Sequence, residues 1–227
     1  ADPVRWIQHC FPKYAKYPFA KFHINAIMRL IEHDEWYEVL SWSRELAKST
    51  LVMFVLLFLV LTGRKRFVVC ASATEDAATR LLTPFKINLE SNSRIRQLYG
   101  DQQTLGAWTA GEFTARCGAK FLAIGAGSAP RGLRNEYVRP DVIYTDDFDE
   151  DADCKNPEVL KKKWEWWEQA LYGTRSISEP LLVIWCGNII AKDCCITRAG
   201  KFANSWDVVN IRDRNRSEEH TSELQSH

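Results

Sequence analysis

The stretch SRELAKSTLVMFVLLFLVL, residues 43–61, determines how this chain can fold. Its second part is wholly apolar from 51 to 61, and Gly63 with Arg64 gives the signals of a helix C-terminus, so we predict a buried helix over 48–62. The preceding segment WYEVLSW, residues 36–42, is rich in β-formers and predicts a strand. A strand, a short polar loop and a buried helix form an arrangement in which a helix N-terminus can bind phosphate.

The loop between the predicted strand and helix carries side chains suited to a nucleotide phosphate. A phosphate loop needs backbone N–H groups, a lysine that neutralises the phosphates and a hydroxyl that binds Mg²⁺. The usual pattern G-x-x-x-x-G-K-[ST] is broken at both glycines, by Trp42 and Ala47, so an ordinary helix N-cap is the alternative interpretation. The predicted nucleotide-binding residues of the loop are Ser43, Ala47, Lys48, Ser49 and Thr50.

A second segment, VIYTDD at 142–147, has the form of a Walker B strand. An aspartate at the carboxyl end of such a strand can bind the Mg²⁺ that bridges two phosphates, and a neighbouring acid can orient the attacking water. We therefore predict Asp146 as a metal ligand, with an adjacent acid as a candidate for orienting the water. The alternative is a solvated acidic loop, because residues 146–153 contain six carboxylates that repel one another unless a cation offsets them.

The remaining pattern predicts alternating strands and helices. Residues 67–73 read as a buried parallel strand, Thr74 begins a helix that Pro84 is predicted to end or kink before Glu90, and residues 111–125 suggest a hairpin. A further strand is predicted at 181–186, and the tryptophans of the helix that follows Asn156 and Pro157 lie at core spacing. This alternation predicts a three-layer α/β domain.

Composition limits the classes of protein that fit. The 227 residues are 46% hydrophobic with a formal net charge of +1, which fits one globular domain and does not indicate a polybasic coat or an acidic tail. The seven cysteines include no zinc-binding spacing and favour a reduced, intracellular interior. The apolar run at 51–61 is shorter than the roughly 17–25 residues of a membrane-spanning helix, so no membrane partner is expected.

Both ends of the sequence have unusual features. The chain opens with Ala1 rather than methionine, which predicts an incomplete N-terminus. Residues 216–227, RSEEHTSELQSH, lack apolar periodicity and match the translation of a sequencing-library adapter, so we expect them to be a non-native tail. The alternative is a natural polar tail. The expected domain is therefore 1–215.

The chain resembles the ATPase half of the large subunit of tailed-phage terminases, the motors that package viral DNA. Four stretches carry the resemblance: SRELAKST at 43–50, RFVVCASATEDAA at 66–78, the segment 129–167 around the predicted Walker B strand, and CGN at 186–188. The resemblance implies a RecA-like P-loop NTPase fold, a mostly parallel sheet with helices on both faces. It also implies ATP and Mg²⁺ as cofactors.

The resemblance also implies a role for each matching residue. Lys48 would bind the β- and γ-phosphates, while Ser49 and Asp146 would hold Mg²⁺. Asp147 occupies the position of the catalytic carboxylate, where many related motors have glutamate, so Asp149 and Glu150 are alternatives for orienting the water.

Other side chains would act on the phosphates or the base. Arg44 would contact the phosphates from within the loop, and Arg131 or Arg134 is the candidate arginine finger directed at a neighbouring subunit. Asn188 would sense the γ-phosphate. The segment YPFAKFH, residues 17–23, is the candidate for flanking adenine. Surface or capping roles for the arginines, and a turn role for Asn188, are the alternatives.

The implied function is ATP hydrolysis that drives double-stranded DNA into a capsid, in the cytoplasm of an infected bacterium. The implied partners are DNA, a small terminase subunit, a portal protein and further copies in a ring. The family continues into a nuclease domain for which residues 1–215 leave no room, so no DNA cleavage is expected. Another RecA-like or helicase-like ATPase, or a non-hydrolysing remnant of the fold, are the alternative functions.

Overall fold

The computed structural model describes residues 2–14, 17–106, 108–129 and 139–210. The predicted tail and the candidate fingers Arg131 and Arg134 lie outside these residues. The helices are α1 (Pro3–Cys10), α2 (Lys21–Glu32), α3 (Lys48–Leu61), α4 (Glu75–Ser91), α5 (Ser93–Tyr99), α6 (Asp151–Cys154), α7 (Pro157–Glu165) and α8 (Cys195–Gly200). The strands are β1 (Trp36–Trp42), β2 (Phe67–Ser72), β3 (Glu112–Thr114), β4 (Lys120–Gly125), β5 (Val142–Asp146), β6 (Leu182–Cys186) and β7 (Ser205–Val209).

The strands of the described residues form one sheet of seven, in the order β3-β4-β2-β5-β6-β1-β7. Only β3 runs antiparallel to its neighbour, as the hairpin partner of β4, and the other five pairings are parallel. Helices α1 to α5 contribute to the hydrophobic core on one face of the sheet, and α7 and α8 to the core on the other. The predicted three-layer, mostly parallel α/β fold is confirmed.

Helix α3 lies at the centre of the first face. Every residue from Leu51 to Leu61 is buried, so the helix is apolar on all sides. A helix that is hydrophobic all round is either enclosed by protein or spans a membrane. Here α1 and α2 pack against it, and with 14 residues it is the predicted core helix. Across the part of the chain that is described, none of the helices has both the length and the apolar character to cross a bilayer.

The second face is built around tryptophans. Trp164 and Trp167 are buried against Trp185 of β6, with ring centroids 6.1 and 4.9 Å from it, as predicted for core residues. After α7 the backbone widens into a π-helical turn, Trp166–Leu171, and Trp167 Nε1 donates to Thr145 Oγ1 of β5 at 3.0 Å. This hydrogen bond fixes Thr145 of β5, the residue directly before Asp146.

Helix α4 continues through Pro84 to Ser91, so of the two predicted effects of Pro84 the ending of the helix before Glu90 is wrong. Pro84 lies on the exposed face of the helix, where water can hydrate the carbonyl that lacks its N–H donor. The N-terminus is as predicted, since Thr74 Oγ1 accepts from Ala77 N–H. At Gly125 a Cβ atom would lie 2.3 Å from the Glu75 backbone nitrogen, so glycine lets α4 begin against β4.

Strand β7 was not predicted from the sequence. It pairs with the outer side of β1 in parallel register, and the Ser43 N–H donates to the Val209 carbonyl at 2.8 Å just beyond that register. The start of the loop that follows β1 is therefore fixed to β7.

Candidate functional site

The order of the strands brings the predicted site residues to one edge of the sheet. Strand β6 lies between β1 and β5, and all three run parallel, so their carboxyl ends lie side by side. Lys48 follows β1, Asn188 follows β6 and Asp146 ends β5. Ligands of open α/β sheets bind in the crevice at the carboxyl ends of the strands.

The loop between β1 and α3 has the curvature of a phosphate loop even though it lacks both glycines. Glu45 and Ala47 adopt the left-handed conformation, with φ of 71° and 57°. A residue with a Cβ atom is strained there, by roughly 1–2 kcal/mol. Ala47 stands at the position of the second glycine in the usual pattern, so the chain keeps the backbone shape that the glycine normally permits.

His23 of α2 supports this loop from behind. Its Nδ1 accepts from the Ala20 N–H at 3.2 Å, which leaves the proton of the neutral ring on Nε2 for the Leu46 carbonyl at 3.0 Å. The imidazole and Phe22 also pack against Trp42, and burial lowers the pKa of His23. The structure thus places this part of the candidate adenine segment against the loop backbone and the end of β1.

Lys48 and Asn188, two of the predicted nucleotide-binding residues, lie together in the structure. Lys48 Nζ is 3.2 Å from the Trp42 carbonyl and 3.4 Å from Asn188 Oδ1. The amide at the end of β6 therefore contacts the ammonium group at the start of α3. An anion that binds Lys48 is within reach of Asn188 as well.

Ser49 and Asp146, the predicted metal ligands, are in direct contact. Ser49 Oγ and Tyr144 OH both donate to Asp146 Oδ2, at 2.5 and 2.7 Å. Burial raises the pKa of Asp146 to about 6, Asp147 adds to the effect, and the Ser49 and Tyr144 hydroxyls oppose it. Asp146 Oδ1 is buried and has no hydrogen-bond partner. A buried carboxylate oxygen without a partner costs folding free energy unless a bound ligand or cation contacts it.

These residues fit Mg²⁺. Mg²⁺ takes hard oxygen ligands and is usually held by one or two carboxylates together with substrate phosphates. Ser49 Oγ and the free oxygen of Asp146 are such ligands. In the described part of the chain, no cluster of three or more His, Cys, Asp or Glu side chains could hold a metal by itself.

The acidic loop after β5 contains two kinds of carboxylate, those with hydrogen-bond or ion-pair partners and those that are exposed. Asp149 accepts the Cys195 N–H at 2.7 Å and the Ile196 N–H at 2.9 Å, so both its oxygens cap the first turn of α8. Asp153 pairs with Lys163 at 2.5 Å. Asp147, with φ of 44°, and Glu150 are exposed. Of the three acids considered for orienting water, Asp149 is therefore used to fix α8.

Replacing Asp149 with alanine is expected to destabilise the protein by about 1–2 kcal/mol, because two N–H groups of α8 lose their acceptor. Urea unfolding followed by circular dichroism measures the change. Glu179→Ala, at an exposed carboxylate before β6, is the control and should change the free energy of unfolding by less than about 0.5 kcal/mol. Equal stability of Asp149→Ala and wild type would contradict the capping role.

Two clefts meet at the acidic loop. The first, of about 670 Å³, is lined by residues 43–50, by residues 147–151 and by the end of β6, and it includes the exposed Arg44. The second, of about 650 Å³, lies between the ends of β2 and β5 and α4, and it includes Asp146. Ser49, Asp147 and Glu150 line both clefts. All five predicted loop residues therefore line the first cleft.

Some features of the site were not predicted from the sequence. These are the Tyr144 hydroxyl on Asp146, the support of Leu46 by His23, and the capping of α8 by Asp149. A tyrosine two residues before Asp146 is a local signal, since alternate residues of a strand share a face. The other two features leave no local pattern, because His23 and Leu46 are 23 positions apart and Asp149 and Cys195 are 46 positions apart.

The fold is similar to that of solved phage packaging ATPases. The HK97 bacteriophage large terminase has a TM-score of 0.53 at 12% identity, over 86% of this chain and 40% of that one. An ATPase-domain mutant of the Thermus phage P74-26 large terminase has 0.51 at 14%, over 82% and 69%. The N-terminal domain of the bacteriophage phi29 DNA packaging ATPase has 0.50 at 13%, over 84% and 97%.

This likeness shows the fold expected from the terminase resemblance. No protein-family model and no curated protein sequence matches the chain. The chain spans 40% of the length of the HK97 protein.

Proposed function

We propose that this chain is the ATPase part of a terminase-like DNA-packaging motor and hydrolyses ATP. The observation that carries the proposal is the group formed by Lys48, Ser49 and Asp146. It places an ammonium group, a hydroxyl and a buried carboxylate with one unpaired oxygen at adjacent strand ends. The similar fold of packaging ATPases supports the assignment.

Each part of the site has a role in phosphoryl transfer. Backbone N–H groups at the start of α3 would cradle the phosphates, and the Lys48 ammonium would neutralise their charge. Ser49 and Asp146 would hold Mg²⁺, which lowers the cost of charge development on the phosphates when it is bound. Asn188 would contact the γ-phosphate beside Lys48. Arg44 would contact the phosphates from the exposed side of the loop.

Asp147 is our choice for orienting the attacking water. It follows Asp146 directly, its carboxylate is exposed to both clefts, and its left-handed backbone is one that aspartate tolerates better than most residues. Glu150 lines the same clefts and is the second choice. For Asp149, capping of α8 leaves no free oxygen.

We extend the proposal to the motor. Double-stranded DNA, a small terminase subunit and a portal protein would be the partners, and further copies of the chain would form a ring in the cytoplasm of an infected bacterium. Arg131 or Arg134 would then act on the nucleotide of a neighbouring copy. The support is the likeness to ATPases of DNA packaging and terminase proteins.

Calorimetry with ATP, and a parallel assay of phosphate release, test the ATPase assignment. The full chain should bind ATP with one site per chain, and phosphate release should require Mg²⁺ and stop in EDTA. Binding without release would indicate a non-hydrolysing remnant, and absence of binding would refute the proposal. Stimulation of phosphate release by double-stranded DNA is the expected sign of coupling to DNA.

A further inference from the structure

A buried tyrosine, Tyr144, contacts the candidate metal ligand Asp146 through its hydroxyl. Tyr144 lies two positions before Asp146 on β5, so the two side chains share one face of the strand. Tyr144 is fully buried, and its OH donates to Asp146 Oδ2 at 2.7 Å. Ser49 Oγ donates to the same oxygen at 2.5 Å. One oxygen of Asp146 therefore has two donors and the other has none.

This asymmetry fixes the carboxylate. A buried aspartate with one oxygen held from two directions cannot rotate without breaking a hydrogen bond. Ser49 is itself a predicted metal ligand, so its hydroxyl can leave Asp146 when a cation is bound. Tyr144 has no such second role, and its ring is held in the core, with Phe85 at 6.4 Å between centroids. The tyrosine is the donor that can persist while the cation is present.

We propose that Tyr144 is a positioning residue that holds Asp146 Oδ2 and thereby presents Oδ1 to the divalent cation. This inference rests on the proposed function, because it assumes that Asp146 binds the cation that accompanies the nucleotide. Hydrogen bonds to metal ligands set ligand orientation, and their loss typically weakens metal binding by about 10- to 100-fold. Tyr144 would then have two roles, since its ring packs in the core and its hydroxyl orients the metal ligand.

Tyr144→Phe tests the proposal, with Mn²⁺ as the probe and the free ion measured by electron paramagnetic resonance. The full-length variant is titrated at saturating ADP, where hydrolysis makes no contribution. We expect the apparent Kd for Mn²⁺ to rise by about 10-fold or more, while ADP affinity in EDTA stays within about 2-fold of wild type. A purely structural role would instead weaken both kinds of binding together.

Tyr37→Phe is the matched control. Its hydroxyl is also buried, but it lies on β1 and is not one of the two hydroxyls that donate to Asp146. Its Mn²⁺ affinity should equal that of wild type. Unchanged Mn²⁺ affinity in folded Tyr144→Phe would overturn the inference, and so would unfolding of Tyr144→Phe while Tyr37→Phe remains folded. If wild type itself fails to bind Mn²⁺ with ADP, the proposed function fails instead.

Discussion

Lys48→Ala is expected to lower ATP turnover by about 10²- to 10³-fold, the effect of removing one preorganised electrostatic contact to a transition state. Charge spreads over the phosphate oxygens as the phosphoryl group transfers, and the lysine of a phosphate loop meets that charge. Lys48 Nζ lies within 3.2 Å of the Trp42 carbonyl, so the backbone holds the ammonium group at the end of β1. Alanine removes the charge and leaves the loop backbone in place.

The measurement is phosphate release at saturating Mg²⁺-ATP without DNA. Lys162→Ala, at an exposed lysine of α7, is the control and should retain wild-type turnover. Chemical denaturation checks that Lys48→Ala is folded, since Lys48 also contacts Asn188. Turnover equal to that of wild type would show that residues 43–50 are a plain loop and helix N-cap.

Most of the central fold was predictable because its signals are local. The buried helix follows from the apolar run at 51–61 and the stop signals Gly63 and Arg64, and the strands on either side follow from their β-formers. The structure confirms α3, β1 and β2 within one residue of the predicted ends. Strand β7 has no such signal. Its residues SWDVV are largely half-exposed at the sheet edge, and pairing with β1 rather than burial makes them a strand.

The sequence was sufficient to predict those site residues that lie at the carboxyl ends of strands. Lys48, Ser49, Asp146 and Asn188 follow three strands that were recognised, and the parallel order brings them together. The roles of the acids were not predictable in the same way. Asp149 and Asp147 look alike in sequence, but the position of α8 gives Asp149 two N–H donors and leaves Asp147 exposed. Tertiary contacts, rather than residue type, separate the two.

Asp146→Asn is expected to have two opposite effects. Loss of the anionic ligand should lower ATP turnover by about 10²-fold or more, since the cation site is a main electrostatic element of catalysis. The same change should stabilise the metal-free protein, because it removes a buried charge. Sites built for ligands commonly cost stability in the unliganded protein.

The pKa of Asp146 gives the direction of the stability effect. Burial raises this pKa from 3.8 to about 6, so the folded state holds the proton more tightly than the unfolded state does. The favourable contribution is therefore present at low pH and is lost as pH rises through about 6. Near pH 8 the buried carboxylate costs about 3 kcal/mol. Asparagine removes that cost but leaves a buried N–H₂ group without an acceptor, which lowers the stability by about 1–2 kcal/mol.

The net gain expected for Asp146→Asn in EDTA at pH 8 is thus about 1–2 kcal/mol, or roughly 2–8 °C in Tm for a chain of this size. The difference from wild type should shrink below pH 6 and reverse near pH 4, where the wild-type carboxyl is neutral in the folded state. Asp153→Asn is the control, since Asp153 is paired with Lys163, and its loss should lower stability instead. If Asp146→Asn were less stable than wild type at pH 8, the carboxylate would be a structural anchor. The unpaired oxygen of Asp146 would then be no sign of a site that needs a cation, because the empty site would carry no measurable cost in stability.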